Sequence, residues 1–245
     1  MSQRGKHKRV GNFAEEVVKN SKKAKKRLFG DVRYRVQPTV RDIGVCRVFV
    51  DGACTGNHHK RKQERCGGYG IYFEDGSVQS SGTLADLSTA TTNNRLELTA
   101  VIDLLDNAIQ GRYDRLTPAT ELRIVGDNQY VLNMALDWLP KWRARDYCKT
   151  DGARVENVDL VRRLDSLLQA FERRRWPLSF QWVRAHQPEP PDKESEEWRM
   201  WHGNDKADRL ATTAAENFGK TRMESALHAP PLDALKSDKL DRLKT

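Results

Sequence analysis

Four carboxylates in this chain stand where they could share an oxygen-ligated cation: Asp51 in Val50-Asp51-Gly52, Glu97 in Asn94-Arg95-Leu96-Glu97-Leu98, Asp127 in Val125-Gly126-Asp127-Asn128, and Asp208 in Asn204-Asp205-Lys206-Ala207-Asp208-Arg209-Leu210-Ala211. Asp51 closes the apolar run from Val45 to Val50, which has the pattern of a central strand buried on both faces. Asp127 lies just past a second short apolar run, Leu122 to Val125, that follows a helix and so should run parallel to the first. Open sheets bind ligands at the carboxyl ends of parallel strands, where both aspartates would arrive. Glu97 sits in the first turn of a helix that packs across the sheet, and a last helix can bring Asp208 alongside. Taken singly, each residue has a structural reading: a turn at Asp51-Gly52, a capping box from Asn94 to Glu97, an N-cap at Asp127, a solvated helix residue at Asp208. Independent caps would not share one address. Carboxylates gathered at one point need a cation, and hard oxygen donors with little imidazole and no thiolate select Mg²⁺ or Mn²⁺ over Zn²⁺.

The elements that would position these groups follow from periodicity. Gly-rich segments from Gly67 to Phe73 and from Ser77 to Leu84 flank Glu74-Asp75-Gly76, a hairpin signal, which makes three antiparallel strands in succession. From Asn94 the apolar spacing turns helical through Leu98, Val101, Ile102, Leu105 and Ile109, and Gly111 stops the helix. Helices are also predicted over Tyr130 to Leu139, Val158 to Phe171 and Gly203 to about Asn217. Pro177 opens a last strand through Leu178, Phe180 and Trp182 that ends near His186.

Composition narrows the class. The 245 residues carry 43 Lys+Arg and 34 Asp+Glu, and the whole excess of +9 lies in residues 1–40, with 12 basic and 3 acidic residues. That imbalance points to a polyanion as partner. The densest cluster, Lys22-Lys23-Ala24-Lys25-Lys26-Arg27, suits a nuclear localisation signal, a nucleic-acid anchor or a solvated tail alike. Nucleus, cytoplasm and mitochondrion all stay open. No window of 18 uncharged apolar residues and no secretory signal is present, so a soluble, intracellular, monomeric protein without a membrane partner is expected. Cys46, Cys54, Cys66 and Cys148 form no C-x-x-C pair, which argues against a zinc site or a disulfide framework.

In order, spacing and flanking residues the four acidic blocks resemble the type 1 ribonuclease H family, over about residues 44 to 218. The resemblance, closest to cellular, eukaryotic-like members with a basic protrusion, implies an α/β ribonuclease H-like fold. Its five-stranded mixed sheet would have three antiparallel strands, then two parallel ones, flanked by helices. It divides the chain into a flexible basic arm (1–40), a catalytic domain (41–218) and a tail (219–245). Asp51, Glu97, Asp127 and Asp208 become the metal-binding quartet; Asp205 is excluded because the pattern Asn-x-x-x-Asp-x-Leu-Ala falls on Asn204, Asp208, Leu210 and Ala211. The implied activity is endonucleolytic hydrolysis of the RNA strand of an RNA–DNA hybrid, leaving 5′-phosphate and 3′-hydroxyl ends. Two Mg²⁺ ions, replaceable by Mn²⁺, would act about 4 Å apart.

By the same resemblance Asn57, Asn93 and Asn94 contact 2′-hydroxyls, the mark that separates RNA from DNA. Trp138 to Lys149, which interleaves aromatic and basic residues, matches the basic protrusion, with Trp138 and Trp142 against DNA sugars; two tryptophans at that spacing also suit a core. Thr92 and Asn157 match positions that grip a DNA phosphate, and Thr150 joins the substrate-binding set. Ala90 stands where animal relatives have an arginine, which weakens that grip unless another residue completes it.

His186 matches the family histidine that assists proton transfer and product release. Between it and Asp208 lie 21 residues, about twice the usual family spacing, including Pro188, Pro190 and Pro191 and five acidic residues from Glu189 to Glu197. This stretch reads as a mobile loop that speeds release. Integrase-type enzymes of the same fold use three carboxylates and lack the His186 loop, and a non-catalytic hybrid-binding module would not keep all four acids.

Overall fold

The computed structural model describes residues 27–39, 43–55, 65–83 and 91–227, so Asn57, Ala90 and the cluster from Lys22 to Lys26 fall outside the described residues. At its centre is a mixed sheet of strands β1 (Arg33–Val36), β2 (Gly44–Thr55), β3 (Cys66–Phe73), β4 (Gln79–Thr83), β5 (Thr120–Gly126) and β6 (Leu178–Trp182). Their spatial order is β1-β6-β5-β2-β3-β4. The middle strand, β2, pairs antiparallel with β3 and parallel with β5, and its residues alternate between two apolar layers: Val48 and Val50 face one, Phe49 the other. Both layers are covered, which is why the run from Val48 to Val50 is continuously apolar.

The first layer is built by helices α1 (Asn93–Ile109) and α4 (Val158–Arg174), whose Leu98, Val101, Leu105, Leu164, Leu168 and Phe171 are fully or almost fully buried. Two short helices, α2 (Gln129–Asn133) and α3 (Leu139–Arg143), complete it, joined by a single π-helical stretch, Met134–Trp138. Pro140, which has no N–H to offer the preceding turn, lies two residues past the end of that wider turn. The second layer is one long helix, α5 (Glu196–Leu227), lying across β2 and β3. Its close approach depends on glycine: a Cβ on Gly70 would run into the Ala207 carbonyl and the Leu210 side chain.

Two expectations are corrected here. The sheet has six strands rather than five, because Arg33–Val36, inside the segment expected to be a flexible arm, pairs antiparallel with β6. Side chains hold it: Arg35 pairs with Glu172 at 2.6 Å, Arg33 with Asp137 at 2.7 Å, and the Tyr34 hydroxyl donates to Glu121 at 3.2 Å. The high charge of the segment masked this strand, since its arginines serve as partners for acidic residues on the domain. The last helix begins at Glu196 rather than Gly203 and continues to Leu227 rather than Asn217, absorbing half of the expected loop and part of the expected tail. Its start is set by Ser195, whose Oγ accepts from the Trp198 amide at 3.1 Å, and by Glu196 and Glu197 in the first turn, where a helix dipole favours acids.

Replacing Gly70 with Ala should force α5 away from β3 and cost about 2–3 kcal/mol. By circular dichroism the variant's Tm should fall roughly 4–12 °C, from the size scaling of unfolding. An unchanged melt would mean that the helix lifts off the sheet without cost.

Candidate active site

The site begins with a difference in strand length. Parallel pairing of β2 with β5 stops at Phe49 and Val125, yet β2 runs on to Thr55, held from there by β3 alone, with Asp51 opposite Gly70. A crevice opens where the two parallel strands part. Asp51, two residues beyond the last parallel pair, and Asp127, just past the end of β5, both enter it.

Glu97 reaches the crevice through another close approach. A Cβ on Gly52 would come within 2.7 Å of the Glu97 amide nitrogen and the Leu96 Cβ, so only glycine lets the first turn of α1 sit against β2. Thr92, not Asn94, caps that helix, its Oγ1 accepting from the Arg95 amide at 3.4 Å, so Glu97 is not spent on a capping box. One ligand oxygen from each of Asp51, Glu97 and Asp127 lies within 4.8 Å of the other two. Asp208, delivered by α5, and His186 complete a cavity of about 290 Å³ whose lining also includes Gly52, Cys54 and Asn93. Asp205, one turn earlier, is ion-paired with Arg209 at 2.9 Å instead.

This is an electrostatically unfavourable arrangement. Burial, with the charges of Asp127 and Asp208 added, pushes the Asp51 carboxyl up to about 8, opposed by the Gly52 amide that donates to its Oδ1 at 2.6 Å. Burial and the Asp127 charge push Glu97 up to about 9, against a hydrogen bond from Asn128. Asp127 is also raised by burial, with the His186 imidazole opposing the rise. Among the described residues no lysine or arginine pairs with any of the three; Arg95, the nearest in sequence to Glu97, is committed to Asp159. A buried all-oxygen donor set without a protein cation fits a hard divalent metal ion.

Neighbouring residues hold the carboxylates in place. Asn128 caps α2 through its Oδ1, donates from Nδ2 to Asn94 Oδ1 at 2.8 Å, and also bonds Glu97, so it ties three parts of the crevice together. Its position beside Asp127 is the one sign of this role in the sequence. Arg95 has a similar role. It is buried in α1 and bonds Asn157 Oδ1 at 3.3 Å besides its two bonds to Asp159, so Thr92 and Asn157 lie at opposite ends of one arginine. An arginine in a helical face gives no sign in sequence that it is buried. Trp182, the last residue of β6, donates from Nε1 to the Asp127 carbonyl at 2.8 Å.

His186 does not end the last strand, as expected, but follows a bend beyond it with a left-handed φ of 49°. Holding a non-glycine residue there costs on the order of 1 kcal/mol and is characteristic of functional positions. The loop after it, expected to be mobile, is pinned: Trp201 Nε1 donates to the Gln187 carbonyl at 2.8 Å, Trp198 Nε1 to Glu189 at 3.0 Å, and Trp198 stacks on His202 at 4.4 Å. Farther out, Trp138 and Trp142 are half-buried with their rings 5.5 Å apart, and Tyr130 packs edge-on to Trp138. Arg143 is a structural anchor, bonded at 2.7 and 2.5 Å to Asp165, which is fully buried and also accepts from Tyr147. Lys141, Arg145 and Thr150 are exposed.

The family model for RNase H matches residues 44–216, from the first residue of β2 into α5. The chain belongs to the RNase H family. Ribonuclease H of Cupriavidus necator is 33% identical over 173 residues, which is 71% of this chain and 97% of that one. Ribonuclease H of Dichelobacter nodosus is 34% identical over 171 residues, covering 70% and 92%. These relatives are bacterial, so the eukaryotic-like character expected from sequence draws no support from them. Among solved structures, LC9-RNase H1, a type 1 RNase H with the type 2 active-site motif, superimposes with a TM-score of 0.52 at 24% identity over 72% of this chain and 74% of that one, a likeness of fold. The protein is thus a ribonuclease H enzyme, and the carboxylate crevice is its candidate active site.

The raised carboxyls set a pH dependence. Asp51 and Glu97 bind protons more tightly in the folded state, so the stability they contribute is complete below the ordinary carboxylate range and is lost as pH rises through about 8 and about 9. Asp51→Asn should therefore stabilise the metal-free protein at pH 8, on the order of 1–2 kcal/mol, and flatten the fall of Tm between pH 5 and 8. Melts in EDTA across that range measure it; a variant that melts at or below wild type at pH 8 would show that the carboxylates do not strain the fold.

Proposed function

We propose that the protein hydrolyses the RNA strand of RNA–DNA hybrids endonucleolytically, with two divalent metal ions, leaving 5′-phosphate and 3′-hydroxyl ends. The observation that carries this reading is the buried carboxylate cluster at the parting of β2 and β5, which no lysine or arginine among the described residues balances. Asp51, Glu97, Asp127 and Asp208 would hold the ions, Mg²⁺ by preference with Mn²⁺ able to replace it. The bound ions would supply a lowered pKa for the attacking water and neutralise charge on the departing 3′-oxygen.

The remaining steps belong to the chain's own residues. His186, exposed on the rim of the cavity, can exchange a proton with solvent and with the product phosphate. Asn93 lines the same cavity and Asn94 is fixed by Asn128, which suits both to read a 2′-hydroxyl. Thr92 and Asn157, linked through Arg95, would receive a phosphate of the DNA strand. Trp138, Trp142, Thr150 and the exposed Lys141 and Arg145 would form the groove for the rest of that strand.

End-labelled RNA–DNA hybrid, double-stranded RNA and double-stranded DNA, each incubated with protein and Mg²⁺, test the reading: only the hybrid's RNA strand should be cut, with 3′-hydroxyl ends. Asp127→Asn should abolish cleavage and leave hybrid binding nearly intact, since it removes a ligand charge without changing shape. Retention of more than a few per cent of the wild-type single-turnover rate would remove Asp127 from the metal site. Because Trp201 pins the backbone next to His186, Trp201→Phe should lower single-turnover and steady-state rates together, about fivefold for a hydrogen bond worth roughly 1 kcal/mol. A fall confined to the steady-state rate would restore the expected product-release role of the loop.

A further inference from the structure

The polar groups around His186 do not all serve the carboxylate crevice. A second, smaller cavity of about 90 Å³ is lined by Arg184, His186, Trp201, Asn204 and Asp208. His186 and Asp208 line both cavities, whereas Asn93, Cys54 and the other carboxylates line only the first, so the second extends the site in a direction of its own. Its walls are fixed. The Arg184 amide donates to the Leu28 carbonyl at 2.7 Å, and its guanidinium lies 5.7 Å over the ring of Trp182, itself bonded to the Asp127 carbonyl. Trp201 stands on the turns of α5 that precede Gly203, and its bond to the Gln187 carbonyl holds that wall against the loop.

Arg184 is half-buried, yet it forms no ion pair among the described residues, and its Nε is shut off from solvent without a hydrogen-bond partner. Other arginines drawn into the domain are matched: Arg35, Arg47, Arg95 and Arg123 each pair with a carboxylate. Asn204 is 7% exposed, and its side chain makes no hydrogen bond among the described residues, so either end of its amide is free to meet a ligand. Leaving such groups unpaired out of water is costly. The neighbouring acids do not match them, since Asp205 pairs with Arg209 at 2.9 Å and Asp208 faces the carboxylate crevice. A guanidinium in the wall selects an anion over a cation, and the small volume suits a phosphate group.

We infer that this cavity is a phosphate subsite, in which Arg184 and Asn204 hold one backbone phosphate of the strand being cut, beside the cleaved linkage. The inference rests on the hybrid being the substrate. A strand whose linkage lies over the carboxylates passes directly into the second cavity, because the two spaces meet at His186 and Asp208. The contact reads charge and not base identity, so it fixes the register of the strand without imposing a sequence. His186 then stands between two held phosphates.

The test uses the full chain, with Asp127→Asn as the parent so that binding is measured without cleavage. Affinity for a short RNA–DNA hybrid is titrated against KCl at fixed Mg²⁺. Arg184→Gln should lower the slope of log affinity on log salt by about 1, as for one lost phosphate contact, while Arg184→Lys keeps the charge and should keep the slope. Asn204→Ala should weaken binding with the slope unchanged, and combined with Arg184→Gln it should lose less than the product of the two single losses, because one phosphate answers both residues. If Arg184→Gln does not fold, Arg184→Met, which keeps an apolar stem over Trp182, takes its place. A slope equal to the parent's in the neutral variant, or losses that simply multiply, overturns the subsite. Cleavage of the same hybrid by the wild-type chain is scored in parallel: a hybrid that is cut, with a slope indifferent to Arg184, removes the subsite alone, whereas a hybrid left intact removes the substrate assignment on which it rests.

Discussion

Like charges brought together out of water repel, and the architecture around β2 maintains that repulsion. Three carboxyl groups converge within 4.8 Å, two of them almost fully buried, with no arginine or lysine paired to them among the described residues. Left to side-chain preference, such groups would turn to solvent or take up protons. Here they are held by backbone: β2 overruns its parallel partner, β5 stops at Gly126, and the first turn of α1 is pressed onto Gly52. Helix α5 presses just as closely on Gly70 to bring Asp208 alongside. The rest of the fold can be read as the packing energy needed to hold this cluster together until a cation arrives.

Much of this was legible in the chain itself. The apolar run before Asp51 fixed a buried central strand, the Asp-Gly pair gave the hairpin between β3 and β4, and the helical spacing after Asn94 gave α1 within a residue of its start. The four acids stood out because apolar runs or helix starts preceded them in a regular way. What stayed hidden depended on partners distant in sequence. Arg33 and Arg35 look like part of a charged tail until Asp137 and Glu172 are placed opposite them. Arg143 looks like a substrate contact until Asp165 is found buried beneath it. The acidic, proline-bearing stretch after His186 looks loose until Trp198 and Trp201 are seen to bond back onto it.

These cases share one cause. Polar side chains with internal partners look solvent-facing or ligand-facing, because a sequence records charge but not what neutralises it. Asn128 shows the same effect on a smaller scale: one short amide caps a helix, steadies Asn94 and bonds Glu97, and nothing in its immediate neighbours hints at more than the first of these. Where function needs a bare charge, the structure leaves it unpaired; where it needs rigidity, arginines and carboxylates are matched nearly one to one.

Strand β1 also bears on how the protein can be handled. It covers the outer side of β6, whose Ser179 and Phe180 would otherwise present bare amides and carbonyls at the sheet boundary. A fragment cut to begin at residue 44, where the family model starts, would lack that cover. Its β6 would become an open template for strand addition, of the kind that drives self-association through backbone pairing, so a trimmed enzyme should be less soluble than the intact chain even though every carboxylate of the crevice is retained.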